Sequence, residues 1–113
     1  MSTAFLFPGQ GAQTPGFLDR LADDPAVAAT LAEATILLGR DVREIQSAQA
    51  LSSTVAVQIT TLVAGVASLR ALARRGVAPD AVAGLSVGAF AAAVAGGALD
   101  FADALPLVRL RAE

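Results

Sequence analysis

The sequence contains no histidine, no cysteine and no lysine. Each absence closes a class of chemistry within the chain. Without cysteine there is neither a disulfide framework nor a thiolate metal site, and nothing requires an oxidising compartment. Without histidine there is no imidazole zinc site, and a serine nucleophile finds no imidazole base among these residues. Charge is also scarce. Only 16% of residues are charged and the net charge is -2, so there is no bulk attraction to nucleic acid or to an anionic membrane. A secretory leader is not indicated, because Met1-Ser2-Thr3 carries no positive side chain and the apolar run Ala4 to Phe7 is too short. From Ala81 to Leu99 no residue is charged, which is about the length of a spanning helix. Its flanks are Asp80 and Asp100 and its composition is Ala/Gly-rich, which argues against a membrane span.

What is present is apolar. At 55% hydrophobic the chain is too rich in core-forming residues for disorder, and 113 residues suit one domain or a piece of one. Ala4 to Phe7 reads as a buried strand ended by Pro8-Gly9. Asp24-Pro25 has the form of a helix start, followed by Val27, Leu31, Ala34, Ile36 and Leu38 on one face and a stop at Gly39. A second helix is expected from about Thr54 to Arg75, with Val55, Ile59, Leu62, Val66, Leu69 and Ala73 on its apolar face. Its first sixteen residues carry no charge, so most of it should be buried, and arginines close it. Ala81 to Leu85 reads as a second strand, Ala89 to Val94 as a small-residue helix, and Asp100 as a cap for a last helix from Phe101. The order β-α-α-β-α-α implies an α/β fold with a parallel sheet. Two strands do not make a stable sheet covered on both faces, so the expectation is an incomplete domain.

Gly84-Leu85-Ser86-Val87-Gly88 is a G-x-S-x-G sequence placed between a strand and a helix. In a nucleophile elbow the turn is so tight that the serine takes a strained backbone and glycines must flank it at two residues either side. Ser86 is therefore the candidate nucleophile, and the Val87 N–H would face a developing oxyanion. The bland alternative is a small-residue turn or a close helix contact. Phe7 to Gln13 forms a Gly-flanked loop after the first strand. It lacks the third glycine of a dinucleotide site and the lysine of a P-loop. It is either an ordinary turn or, at the edge where parallel strands end, the source of a second oxyanion donor at Gln10. Arg109 and Arg111 are two apart on the last helix and so face different ways. The alternatives are two solvated surface arginines, or one that reaches the site to grip a carboxylate with two parallel hydrogen bonds.

FLFPGQGAQ at 5 to 13, GLSVGAF at 84 to 90 and LDFADALPLVRLRAE at 99 to 113 together resemble the malonyl-CoA:acyl-carrier-protein transacylases, in order and spacing. Within that group the likeness extends to the epsilon subunit of malonate decarboxylase, through Leu85 in place of the usual His before the serine and through the segment Ser53 to Gln58. The resemblance implies an α/β-hydrolase-like acyltransferase large subdomain, with residues 1–113 as its N-terminal part and a ferredoxin-like small subdomain missing. It implies a ping-pong transfer in which Ser86 carries the malonyl ester and the N–H groups of Gln10 and Val87 form the oxyanion hole. Arg111, not Arg109, would hold the malonyl carboxylate, and the base would be a His on a later segment. The implied partners are malonyl-CoA and an acyl carrier protein, or the decarboxylase's own carrier subunit, with no nucleic acid and no membrane. The implied location is cytoplasmic, and no cofactor or metal is needed. On this reading the isolated chain is inactive or nearly so. Pro106, about six residues into the last helix, departs from the pattern and is expected to disturb the helix that places Arg111. The rival readings are an α/β-type serine hydrolase or thioesterase, and a non-catalytic fragment that packs with a partner.

Overall fold

The computed structural model describes residues 2–113; Met1, where the segment read above for a leader begins, lies outside them. Strand β1 spans Ala4–Phe7 and strand β2 spans Ala81–Gly84. They pair in parallel, with Ala4 beside Ala81 and Phe7 beside Gly84. Parallel pairing requires a long crossover, and two helices supply it. These are α1, Pro25–Leu38, and α2, Thr54–Arg74. After β2 come α3, Gly88–Ala95, and α4, Phe101–Ala112. Three short 3-10 turns, Phe17–Arg20, Val42–Ile45 and Ala50–Ser52, lie in segments that the sequence presents as loop.

Helix α1 begins and ends where its sequence demands. Asp24 Oδ1 accepts the Ala26 N–H at 2.8 Å, Pro25 occupies the first position, and Gly39 closes the helix at φ 75°. The buried Asp24 carboxylate also faces Arg74 at 3.6 Å and Arg75 at 3.8 Å, which ties the start of α1 to the end of α2. Val27, Leu31 and Ala34 are buried as the periodicity requires, but Ile36 is 81% exposed and does not belong to that face.

Helix α2 is the central element and packs against α1, α3 and α4. Ile59, Leu62, Val63, Val66 and Ala67 are buried in one core with Phe7, Leu31, Val87, Phe101, Leu105 and Val108. Ala73, expected on the apolar face, is exposed, and Ala71 takes the buried position instead. By length and composition α2 could cross a membrane, but 56% of its most apolar window is buried inside this protein. The uncharged stretch 81–99 is divided between β2, the elbow turn and α3, so it forms no spanning helix.

The sheet packs on one side only. Phe5, Phe7 and Val82 join the helical core, whereas Ala4, Leu6, Ala81 and Ala83 are exposed on the opposite face. Asp100 precedes helix α4 at the cap position, but its side chain makes no capping bond, contrary to the sequence expectation. Pro106, expected to disturb this helix, does not end it: α4 runs through the proline to Ala112. Pro106 and Ala102, whose carbonyl loses its helical donor, are both exposed, so water is available to that carbonyl. Phe101, Ala104, Leu105 and Val108 are buried and hold α4 on α2 across the proline.

Candidate active site

Ser86 has φ 56°, and it is the one non-glycine residue with positive φ among the described residues. That strain follows from the local sequence. β2 ends at Gly84, and the Leu85 N–H still reaches the Phe7 carbonyl at 3.1 Å, extending the strand pairing by one bond. The chain must then reverse into α3, which starts at Gly88. A Cβ on Gly84 would lie 2.1 Å from the Gly88 carbonyl oxygen, and one on Gly88 would lie 2.2 Å from the Phe7 oxygen. Neither position accepts a side chain without moving backbone. The two glycines let strand, turn and helix close together, and Ser86 is left exposed at the tip.

The loop after β1 passes directly beside this tip. A Cβ built on Gly9 would sit 3.4 Å from Ser86 Cβ and 2.7 Å from the Leu85 carbonyl oxygen. Gln10 follows Gly9 and is exposed, while Val87 follows Ser86 and is buried at the head of α3. Neither the Gln10 N–H nor the Val87 N–H is taken up by a backbone acceptor among the described residues. Two N–H groups with no backbone partner, on segments that converge at Ser86, are suited to an oxyanion.

The third component comes from α4. Arg111 Nη2 donates to Ser86 Oγ at 3.0 Å, and Arg111 Nη1 donates to Gln58 Oε1 at 2.6 Å. The guanidinium also lies 5.9 Å from the centroid of the Phe90 ring. Arg109 points elsewhere and meets Glu113 at 3.8 Å on the surface. The two arginines thus separate as their spacing requires, and Arg111 is the one beside Ser86.

Gln58 is the site residue that the sequence reading did not assign a role. It is only 8% exposed, on a helix whose other buried side chains are apolar or threonine. A buried amide needs a partner, and here the partner is Arg111. The available signal was a single amide in a charge-free helical run.

A cavity of about 450 Å³ lies behind the elbow between β1 and α2, lined by Phe5, Phe7, Phe17, Leu62 and Leu69 among others. It touches Gly88 but not Ser86, whose side chain is exposed outside the cavity.

Residues 4–113 match the family model described as acyl transferase domain. The malonyl CoA-acyl carrier protein transacylase of Escherichia coli (strain K12) is 43% identical over 113 residues, covering 96% of this chain and 37% of that protein. Among solved structures, the acyl-carrier-protein S-malonyltransferase of Burkholderia pseudomallei 1710b superposes with a TM-score of 0.92 at 45% identity, over 99% of this chain and 38% of that one. A malonyl-transacylase solved in complex with a type II PKS acyl-carrier protein gives a TM-score of 0.89 at 37% identity, with 99% and 38% covered. The chain therefore spans under two fifths of the length of these relatives, and within that span its α/β fold is theirs. On the matched domain and the superposed fold, the chain belongs to the acyl transferase domain family.

Proposed function

We propose that these residues serve malonyl transfer from malonyl-CoA, through an ester on Ser86, to the thiol of an acyl carrier protein. The observation that carries the reading is the 3.0 Å contact between Arg111 Nη2 and Ser86 Oγ. In a malonyl group the carboxylate and thioester carbons are separated by one methylene, about 2.5 Å at ordinary bond lengths. One three-carbon unit therefore spans the guanidinium and the nucleophile together. A serine hydrolase built on the same elbow has no use for a guanidinium at that distance.

The chemistry is an acyl exchange at one carbon. A base takes the Ser86 proton, and Oγ attacks the thioester carbonyl. The oxyanion is held by the Gln10 and Val87 N–H groups while the carbon–sulfur bond breaks. The coenzyme A thiolate leaves and takes up the proton. The carrier thiol then repeats the sequence on the Ser86 ester. Arg111 fixes the carboxylate throughout, and Gln58 fixes Arg111. The chain has no histidine, so the base comes from outside these residues and the 113-residue chain alone does not turn over. Leu85 before the nucleophile and the segment Ser53 to Gln58 favour the malonate decarboxylase carrier subunit as the acceptor.

The test supplies imidazole as the base and follows acylation of Ser86 by mass spectrometry. A charged hydrogen-bonded pair contributes about 2 kcal/mol, so malonyl-CoA should label roughly 30-fold faster than acetyl-CoA. Arg111→Ala should abolish that preference while acetyl labelling persists. Equal labelling by the two thioesters in the unmodified chain would favour a hydrolase-like site instead.

A further inference from the structure

Resting on the malonyl reading, we infer that Arg111 masks Ser86 until an anionic acyl group displaces it. The Ser86 hydroxyl accepts a charged hydrogen bond from Arg111 Nη2 at 3.0 Å. That bond occupies a lone pair on the oxygen that must attack the thioester. An oxygen so engaged is a poorer nucleophile, and charge-assisted bonds are the strong ones. Among the described residues no other side-chain partner of Ser86 Oγ competes for that role.

The guanidinium is held in the masking position from two further sides. Gln58, rooted in the buried face of α2, accepts from Nη1 at 2.6 Å. Phe90, in the first turn of α3, lies under the guanidinium at 5.9 Å. Arg111 itself is exposed, so it has room to shift toward an incoming ligand. A carboxylate placed beside it accepts the Nη2 hydrogen that Ser86 had accepted. No covalent bond changes in this step; one hydrogen bond is exchanged for a stronger, charge-paired one. Ser86 is released by the same event that places the acyl carbon next to it. A neutral acyl group offers nothing to take Nη2 away, so selectivity acts on the nucleophile's availability as well as on binding.

The masking bond competes with carboxylate binding, and that competition is measurable without any catalysis. Malonate is titrated into the chain and followed by calorimetry and by the side-chain nitrogen resonances of Arg111. Ser86→Ala removes the competitor, so malonate should bind about fivefold or more tightly than to the unmodified chain. Ser86→Gly, which suits a residue at φ 56°, should do the same and guards against a folding artefact. In the absence of malonate both variants should show faster averaging of the Arg111 Nη signals. Equal malonate affinity in all three proteins, with Arg111→Ala abolishing binding, overturns masking and leaves the carboxylate reading intact. Binding that does not depend on Arg111 in any of them overturns the carboxylate reading and masking together.

Discussion

Gly88→Ala is the substitution whose cost the structure defines best. The added Cβ would lie 2.2 Å from the Phe7 oxygen, 2.7 Å from the Pro8 oxygen and 2.8 Å from the Phe7 carbonyl carbon. All three are backbone atoms, so no side chain swings aside. To reach even 3.0 Å, the head of α3 and the end of β1 must part by about 0.8 Å. Forcing a group into a packed site costs about 2–3 kcal/mol. For a domain of this size that corresponds to a fall in melting temperature of roughly 8–12 °C. The displaced atoms immediately precede Gly9 and Gln10, so the same movement separates the loop from Ser86. A misplacement approaching 1 Å is expected to slow Ser86 acylation by about 100-fold. Gly39→Ala is the control: Gly39 has φ 75° but no atom within 4 Å of the added carbon. It should cost about 1–2 kcal/mol from backbone strain alone and leave acylation unchanged. Thermal denaturation followed by circular dichroism, with the imidazole-assisted acylation assay, measures both effects. Gly88→Ala melting within about 2 °C of the unmodified chain and acylating at its rate would refute the steric account of the elbow.

Gln58→Leu should keep stability within about 1 kcal/mol, because an apolar side chain suits the buried face of α2 and the exposed Arg111 can turn to water. It should also lower the preference for malonyl-CoA by roughly fivefold, from the loss of one charge-assisted bond; an unchanged preference in the competition assay would remove Gln58 from the site. Pro106→Ala restores a helical N–H at an exposed position and should raise stability by about 1–3 kcal/mol in chemical denaturation. A loss of stability there would show that the proline fits α4 in a way its missing hydrogen bond does not reveal.

How much of this was legible depended on how strongly local sterics constrain each residue. The elbow was legible because a strand, a serine and a helix meet in five residues, and only flanking glycines permit the φ of 56° at Ser86. Both strands and all four helices of the described residues were legible for similar reasons, with Asp24-Pro25 and Gly39 marking α1 plainly. Ile36 was misplaced because an alanine-rich helix offers no polar face against which to orient the stripe. Asp100 has the composition of a cap, but its side chain does not close on the helix, and composition does not encode that rotamer. The three 3-10 turns were not legible, since a single tight turn leaves no periodicity to read. In the site, spacing separated Arg109 from Arg111 without choosing between them, and the family resemblance made the choice that the Ser86 contact matches. Gln58 lies twenty-eight positions before Ser86, and only the packing of α2 under α4 brings it to Arg111. Long-range pairing of this kind is a property of the folded core and not of any local pattern.

The most direct test of the account is to locate the acyl group after the chain is mixed with malonyl-CoA and imidazole. Peptide mapping by mass spectrometry should find a malonyl ester on the peptide that carries Ser86 and on no other serine or threonine. Ser86→Ala should leave the protein unlabelled. A folded chain that takes no label, or that takes it elsewhere, would contradict the assignment of Ser86 as the nucleophile of a malonyl-transfer site.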